Sequence, residues 1–470
     1  MRTIVWFRGK DLRILDHAPL HDAAAQGEVI PIFILDPYFF DPARARNMPH
    51  RMQFLIDSLK SLEANLARRG SRLLVVSGRS VDVIPRLTQT LRADRVVAHR
   101  WVEPFGRERD RRIAESVGAR FELYEGETLM PPGTLRTASG RPYSIFGQFA
   151  RAFRHAATIG APIPPPSLRP LPTDVELTTT PIPTLEALGL KRNPAIQVGG
   201  EDAANDRLRS FMRTAAAVYV ERRDRLDLPG TSRLSADIKF GTISVRHVWS
   251  EVEANSQGSA AAEAFLTQLI WREFAYSTLW DWPLVLEQPF QASFKGLPWR
   301  YDEALWGAWV QGKTGYPVVD ASARQLLTEG FVHNRARMIS ASFLAKHLLI
   351  DYRRGEAHYM RWLTDGDWAN NNAGWQWVAG CGCGAQPYFR VMNPVLQGVK
   401  FDPEGSYVRR WLPELERLPT RYVHEPWAAP HEVLRSAHVR IGENYPLPVV
   451  DHLFARRRFL AFAKANLGRA

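Results

Sequence analysis

Asp365-Gly366-Asp367-Trp368-Ala369-Asn370-Asn371-Asn372-Ala373-Gly374-Trp375-Gln376-Trp377 places two carboxylates, four side-chain amides and three indoles within thirteen residues. Trp375 and Trp377 stand two positions apart. On a helix that is about 200° of rotation at roughly 100° per residue, so the two rings point in nearly opposite directions. One ring can face a buried aromatic group while the other lines an open cavity. Taken alone, the segment is equally compatible with two indoles that simply fill a helical core, because aromatic side chains usually pack.

The chain around this run divides into two kinds of pattern. Toward the N-terminus, short apolar runs recur at Thr3–Phe7, Val29–Leu35, Arg72–Ser77, Arg95–His99 and Phe121–Tyr124. Helix-length segments such as Arg51–Arg69 and Arg107–Val117 separate them. That alternation predicts an α/β domain on a doubly wound parallel sheet over residues 1–130. No G-x-G-x-x-G follows the first strand, so the common dinucleotide fingerprint is absent. Residues 131–200 read as an interdomain linker. Proline at positions 162, 164, 165, 166, 170, 172, 181 and 183 removes N–H donors and favours extended backbone. From 201 to 470 the pattern is all-α, with helices expected over Glu201–Glu221, Ala260–Leu279 and Ala321–Asp351 and a basic amphipathic helix over His452–Ala470.

Charge narrows the partners. Lys plus Arg number 61 against 49 Asp plus Glu, a net charge of +12. Such an excess concentrates polyanions at the surface, and nucleic acid is the first candidate. The two cysteines, Cys381 and Cys383, cannot supply four ligands to a metal or iron–sulfur centre, so no metal is expected. A reducing cytoplasm fits. The N-terminus lacks a secretory apolar stretch, and no run approaches the ~18 apolar residues of a membrane span.

Three further segments carry chemistry. Thr231-Ser232-Arg233-Leu234-Ser235 follows Pro229-Gly230, and hydroxyls with backbone N–H groups at a turn opening a helix suit an anion, although a plain N-cap has the same composition. Gln268 and Trp271 share a helical face, so an indole can stack on a base while the amide reads its edge. A half-buried helix with a salt-bridged Arg272–Glu273 rim would look the same. His333-Asn334-Arg335-Ala336-Arg337-Met338 puts two arginines and an amide near a helix start, which suits phosphate or carboxylate contacts.

Together these segments closely resemble the photolyase/cryptochrome family of flavoproteins. Leu269–Phe274, Lys313–Asp320, His333–Arg335, Asp365–Trp377 and Pro387–Pro394 carry the resemblance, and Trp6–Arg13 resembles the family's opening strand with an altered turn at Gly9-Lys10. The resemblance implies that the all-α domain binds FAD and DNA. It assigns the diphosphate to Tyr219, Thr231, Ser232, Arg233, Leu234 and Ser235. It puts Asp365, Gly366 and Asp367 along the flavin and ribose, and Arg337 opposite Asp365. Asn371 falls at the position facing flavin N5. An amide there can donate or accept without setting a full negative charge against a reduced, anionic ring.

The implied activity is light-driven repair of pyrimidine dimers in UV-damaged DNA by a monomer. An electron passes from reduced FAD to a lesion flipped out of the duplex. Trp271 and Trp377 would wedge the dimer, with Gln268, Asn334 and Met338 at its edges. Arg223, Arg335 and Gln397 match DNA-contacting positions. A second path would reduce resting flavin through Trp375 and Trp299. Tyr352 stands between them, and oxidation of a tyrosine requires an acceptor for its phenolic proton. The alternatives are that Tyr352 serves, or that Trp309 or Trp362 bypasses it, and the bypass is the expectation. The α/β domain leaves room for a second, antenna chromophore of folate or deazaflavin type, but Pro104-Phe105-Gly106-Arg107 lacks the Asn-Glu pair of many folate-binding relatives. Gln268 stands where many cyclobutane-dimer enzymes carry Glu. His333-Asn334 lacks the His-His pair usual in (6-4) enzymes. Cyclobutane repair is therefore the expected activity, with (6-4) repair or blue-light cryptochrome signalling as alternatives.

Overall fold

The computed structural model describes residues 1–256 and 258–467. Its chain forms two compact units that interleave along the sequence. One comprises Met1–Tyr219, Ser232–Pro283 and Thr364–Ala369; the other comprises Val220–Thr231, Leu284–Leu363 and Asn370–Ala470.

The first unit is built on five strands: β1 (Arg2–Phe7), β2 (Glu28–Leu35), β3 (Leu74–Ser77), β4 (Arg95–His99) and β5 (Phe121–Tyr124). All pair in parallel, in the order β3-β2-β1-β4-β5. β1, β2 and β4 are buried almost end to end. Continuous apolar runs rather than alternation are what a sheet covered on both faces requires. One core includes Val5, Phe7, Phe33, Phe54 and Leu59, and another Ile4, Trp6, Ile32, Ile84 and Ile113. The strand order reverses between β1 and β4, so their following loops meet at the carboxyl edge. The helix Ala260–Asp281 also belongs to this unit; Ser259 caps it by accepting the Ala262 N–H. The proline-rich stretch 161–184 contains no helix or strand.

The second unit is helical, around a core that includes Trp309, Tyr316, Phe343, Leu344, Tyr352 and Trp375. Two helices expected as single elements are broken. Instead of one helix over Ala321–Asp351, Pro317–Glu329 ends at Gly330 (φ +60°). His333 then caps Asn334–Ser342, and a π-helical turn follows over Phe343–His347. Glycine supplies the left-handed stop without a Cβ penalty. The helix expected over Glu201–Glu221 ends at Thr214. The C-terminal helix is His452–Leu467; the three expected residues beyond it lie outside the described ones. Among the described residues, no helix is long and apolar enough to cross a membrane.

Candidate functional site

The helix Trp368–Ala379 carries the amide-rich run. As its phase predicts, Trp375 is buried and Trp377 half-buried. Trp375 lies flush against Gly355, where an added Cβ would come within 2.2 Å of the indole. Two of the amides, Asn371 and Asn372, are anchored on Glu356. Asn371 Nδ2 donates to the Glu356 carbonyl at 3.0 Å, and Asn372 Nδ2 donates to Glu356 Oε1 at 3.0 Å. Gln376 Nε2 donates to the Val285 carbonyl at 2.8 Å. Burial pushes the Glu356 carboxyl up to about 7, against the Asn372 hydrogen bond. Asn371 thus has one amide hydrogen committed and its orientation fixed, which leaves its oxygen as an acceptor for a neighbouring N–H.

The D-G-D turn belongs to the first unit. Asp367 is buried and accepts the Tyr276 hydroxyl at 2.7 Å. Lys10 approaches the same oxygen to 3.9 Å while pairing with Glu103 at 2.7 Å and with Glu127. Arg272 lies over the Tyr276 ring at 4.0 Å and donates to the Glu127 carbonyl. The Arg272–Glu273 pair is therefore buried, not a solvated rim. Glu273 accepts the Leu129 N–H, and burial lifts its carboxyl to about 7. Sequence reasoning missed Lys10, Glu103, Glu127 and Tyr276. The altered turn at Gly9-Lys10 was the only signal pointing toward this cluster.

The hydroxyl turn precedes a short helix, Ser235–Phe240. Arg233 takes a left-handed conformation (φ +54°), and Ser232 Oγ accepts the Leu234 N–H at 3.4 Å. Leu234 buries its side chain and offers only its backbone; Thr231, Ser232 and Arg233 are half-buried and Ser235 is exposed. Tyr219 packs edge-on against Phe211 and Phe265. Arg337 Nε donates to the Val332 carbonyl at 2.7 Å.

Of the expected DNA-contacting residues, Gln268 and Trp271 lie half-buried on the first unit. Gln268 donates to the Ala264 carbonyl. Trp271 stacks on Phe146 at 3.5 Å and 7°, so one of its faces is already covered. On the second unit, exposed Asn334 donates to Met338 sulfur at 3.7 Å. Arg335 pairs with Asp224 at 2.9 Å and lies over Phe401. Arg223 and Gln397 are half-buried. His333 caps its helix by accepting the Arg335 N–H at Nδ1. Burial pushes its pKa down to about 4, with the Asp224 charge opposing, so the ring is neutral near pH 7.

Trp375's ring neighbours among the described residues are Trp309, at 6.1 Å and 72°, and Tyr359, at 5.1 Å. Trp309 in turn stacks on half-buried Trp306 at 5.4 Å and 28°. Tyr352 is buried in the same core without such a contact to Trp375. Burial and the Cys381 thiol hold its phenol far above the ordinary range, and Cys381 itself is pushed up to about 12 by burial. Trp299 sits half-buried against Phe462 at 5.8 Å.

Asp11, His17 and His99 bring three ligand-type atoms within 4.8 Å. His17 Nδ1 accepts the Leu20 N–H, so the neutral ring keeps its proton on Nε2, which lies 3.7 Å from Asp11, beyond hydrogen-bond distance. At the carboxyl edge between β1 and β4, Arg8, Lys10, Trp101 and Arg109 are all buried, with both arginines over the Trp101 ring. These four side chains pack against one another at that edge.

The residues carried over for FAD fit that cofactor. Hydroxyls and backbone donors at the Thr231–Ser235 turn suit a diphosphate, the Asp365–Asp367 carboxylates suit ribose hydroxyls, and a fixed amide suits a ring nitrogen. Comparison with known proteins identifies the family. Residues 265–465 match the FAD binding domain of DNA photolyase, and residues 3–168 match DNA photolyase. The chain is 40% identical to a deoxyribodipyrimidine photo-lyase of Agrobacterium fabrum, over 98% of this chain and 97% of the relative. A Thermus thermophilus deoxyribodipyrimidine photo-lyase is 37% identical, with 98% of each covered. The crystal structure of a bacterial class III photolyase from Agrobacterium tumefaciens superposes with a TM-score of 0.92 at 39% identity, covering 99% of this chain and 97% of that one. A Synechocystis cryptochrome structure superposes with a TM-score of 0.89 at 30% identity, covering 97% and 99%.

Proposed function

Because the chain belongs to the DNA photolyase family, we propose that it is a deoxyribodipyrimidine photolyase that repairs cyclobutane pyrimidine dimers under blue light. Bound FAD, fully reduced and excited by light, supplies the electron that splits the dimer. Everything else is positioning and exclusion of water by the protein.

Tyr219, the Thr231–Ser235 turn, Arg337 and Asp365–Asp367 hold the cofactor. Asn371, oriented by the Glu356 carbonyl, meets the ring with an amide and not a charge. Trp271 and Gln268 on the first unit, and Trp377, Asn334 and Met338 on the second, are the residues that the family resemblance assigns to the flipped lesion. Phe146 backs the Trp271 ring, which stiffens that wall and leaves the opposite indole face for a base. Arg223, Arg335 and Gln397 meet the backbone; Arg335 reaches phosphate by giving up Asp224. The α/β region near 1–130, the proline-rich connection and the helical remainder serve as antenna-type domain, linker and FAD- and DNA-binding domain. The protein acts as a cytoplasmic monomer.

The observation that favours cyclobutane over (6-4) repair is the environment of His333 and its neighbour Asn334. Opening a (6-4) lesion needs a proton donor at this position. Here the ring spends Nδ1 on a helix cap, stays neutral near pH 7, and is followed by Asn334. Repair of a dimer-containing oligonucleotide under blue light, absent in the dark, tests the proposal.

The route that fills the flavin with electrons leaves Trp375 through Trp309 and Trp306. Tyr352 is a poorer next stop: its phenol adjoins the Cys381 thiol, which is itself held protonated by burial, and its ring makes no stacking or edge contact with Trp375. Indole can be oxidised and keep its proton. Trp309 keeps its N–H on the Ser340 carbonyl at 3.2 Å.

A further inference from the structure

Lys10 sits in the turn where the chain departs from the family's opening motif. It leaves the carboxyl end of β1 and buries its ammonium, with only 5% of the side chain exposed. The turn cannot drift. Gly241 approaches it so closely that a Cβ there would come within 1.9 Å of the Lys10 carbonyl oxygen. The ammonium has three carboxylate neighbours: Glu103 at 2.7 Å, Glu127, and Asp367 at 3.9 Å. Glu127 is pinned by the Val102 N–H at 2.8 Å, and Asp367 by the Tyr276 hydroxyl at 2.7 Å. Lys10 also lies over the Tyr276 ring at 5.5 Å, and Arg272 lies over the same ring. The cluster is therefore buried and cross-braced, with Lys239 also within its field, and one of its acids belongs to the D-G-D turn. In a water-poor interior a single charge is felt strongly by its neighbours.

We infer that Lys10 is a positioning residue for the flavin: it fixes Asp367 and, with Glu127 as its counterweight, sets the field that the first unit presents to the bound ring. This rests on the proposed placement of FAD against Asp365–Asp367. Repair requires the reduced, negatively charged ring. A cation tied to Asp367 favours that form over the oxidised one, and Glu127 tempers the effect.

The test is the midpoint potential of the FAD-loaded protein, read by spectroelectrochemistry on Lys10→Met, Lys10→Arg, Glu127→Gln and Asp367→Asn. Lys10→Met lowers the potential, Glu127→Gln raises it, and Lys10→Arg stays near wild type. The first two change the reduced-to-oxidised ratio at a fixed applied potential by about tenfold, in opposite directions. A purely structural role would not produce opposite signs. If Lys10→Met does not fold, the near-isosteric Glu127→Gln carries the test, and an unchanged or lowered potential overturns the inference. If Asp367→Asn moves the potential while Lys10→Met and Glu127→Gln do not, the inference is wrong and the flavin placement stands. If Asp367→Asn also leaves it unmoved, the placement against Asp367 is wrong and the inference falls with it.

Discussion

The indole of Trp309 meets that of Trp375 edge-on, 6.1 Å between ring centroids, and stacks on Trp306 at 5.4 Å. Tyr352, the residue at the middle position of the family's relay, has no such contact with Trp375. The proposed route therefore predicts that photoreduction depends on Trp309. Trp309→Phe slows light-driven reduction of bound FAD by about tenfold or more, equivalent to about 1.4 kcal/mol on the barrier. Tyr352→Phe leaves it nearly unchanged. Time-resolved absorption under blue light checks both, and a large loss in Tyr352→Phe with none in Trp309→Phe would restore the conventional route.

Gly355 lies inside the helix Tyr352–Trp362, where alanine would ordinarily stabilise by roughly 0.5–1 kcal/mol. Here the added methyl collides with Trp375. Gly355→Ala instead destabilises by about 1–3 kcal/mol, the usual cost of overpacking, and slows photoreduction by displacing the first relay ring. Urea unfolding of the FAD-loaded protein reads the first effect. A stabilised variant would show that Trp375 has room to move.

Glu356 makes stability depend on pH. Burial raises its folded pKa from the ordinary 4.5 to about 7. A group raised in this way contributes its stability in full below the unfolded value. It loses that contribution as pH rises through the folded value. Between about pH 4.5 and 7 the wild type loses up to about 1.4 kcal/mol per pH unit from this residue. Glu356→Gln keeps an acceptor for Asn372 and removes the titration, so its stability relative to wild type grows from pH 5 to pH 8. Parallel unfolding curves at both pH values would contradict the burial argument.

Trp271→Ala weakens binding of lesion-containing DNA by about 1–3 kcal/mol, the worth of stacking on one base. It weakens undamaged duplex less, since that duplex keeps its bases stacked and binds through phosphate. Fluorescence anisotropy on matched oligonucleotides measures both affinities. Equal losses would mean that the indole serves only its stack on Phe146.

The fold was legible where one segment carried its own signal. Val29–Leu35 and Arg95–His99 read as strands because both faces are buried and the apolar run is unbroken. Proline density marked the connection for the same local reason. The long helix expected over Ala321–Asp351 failed at Gly330 and His333, a left-handed stop and an N-cap that the apolar periodicity on either side concealed. Site residues within one contiguous motif, such as Asp365–Trp377, were nameable from sequence. Lys10, Glu103, Glu127 and Tyr276 were not, because the sheet's carboxyl edge assembles them from distant segments, and no spacing along the chain announces that. The full burial of Arg272–Glu273 was not readable from sequence, because nothing in their helix shows that residues 127–130 cover the pair.

Light-driven repair of one lesion class is decided by illuminating the fully reduced holoprotein with oligonucleotides that carry either a cyclobutane dimer or a (6-4) product. Restored thymines from the cyclobutane substrate, with the (6-4) substrate unchanged and both inert in the dark, is the expected result. Cyclobutane dimers that persist under light while the flavin is fully reduced would contradict the account.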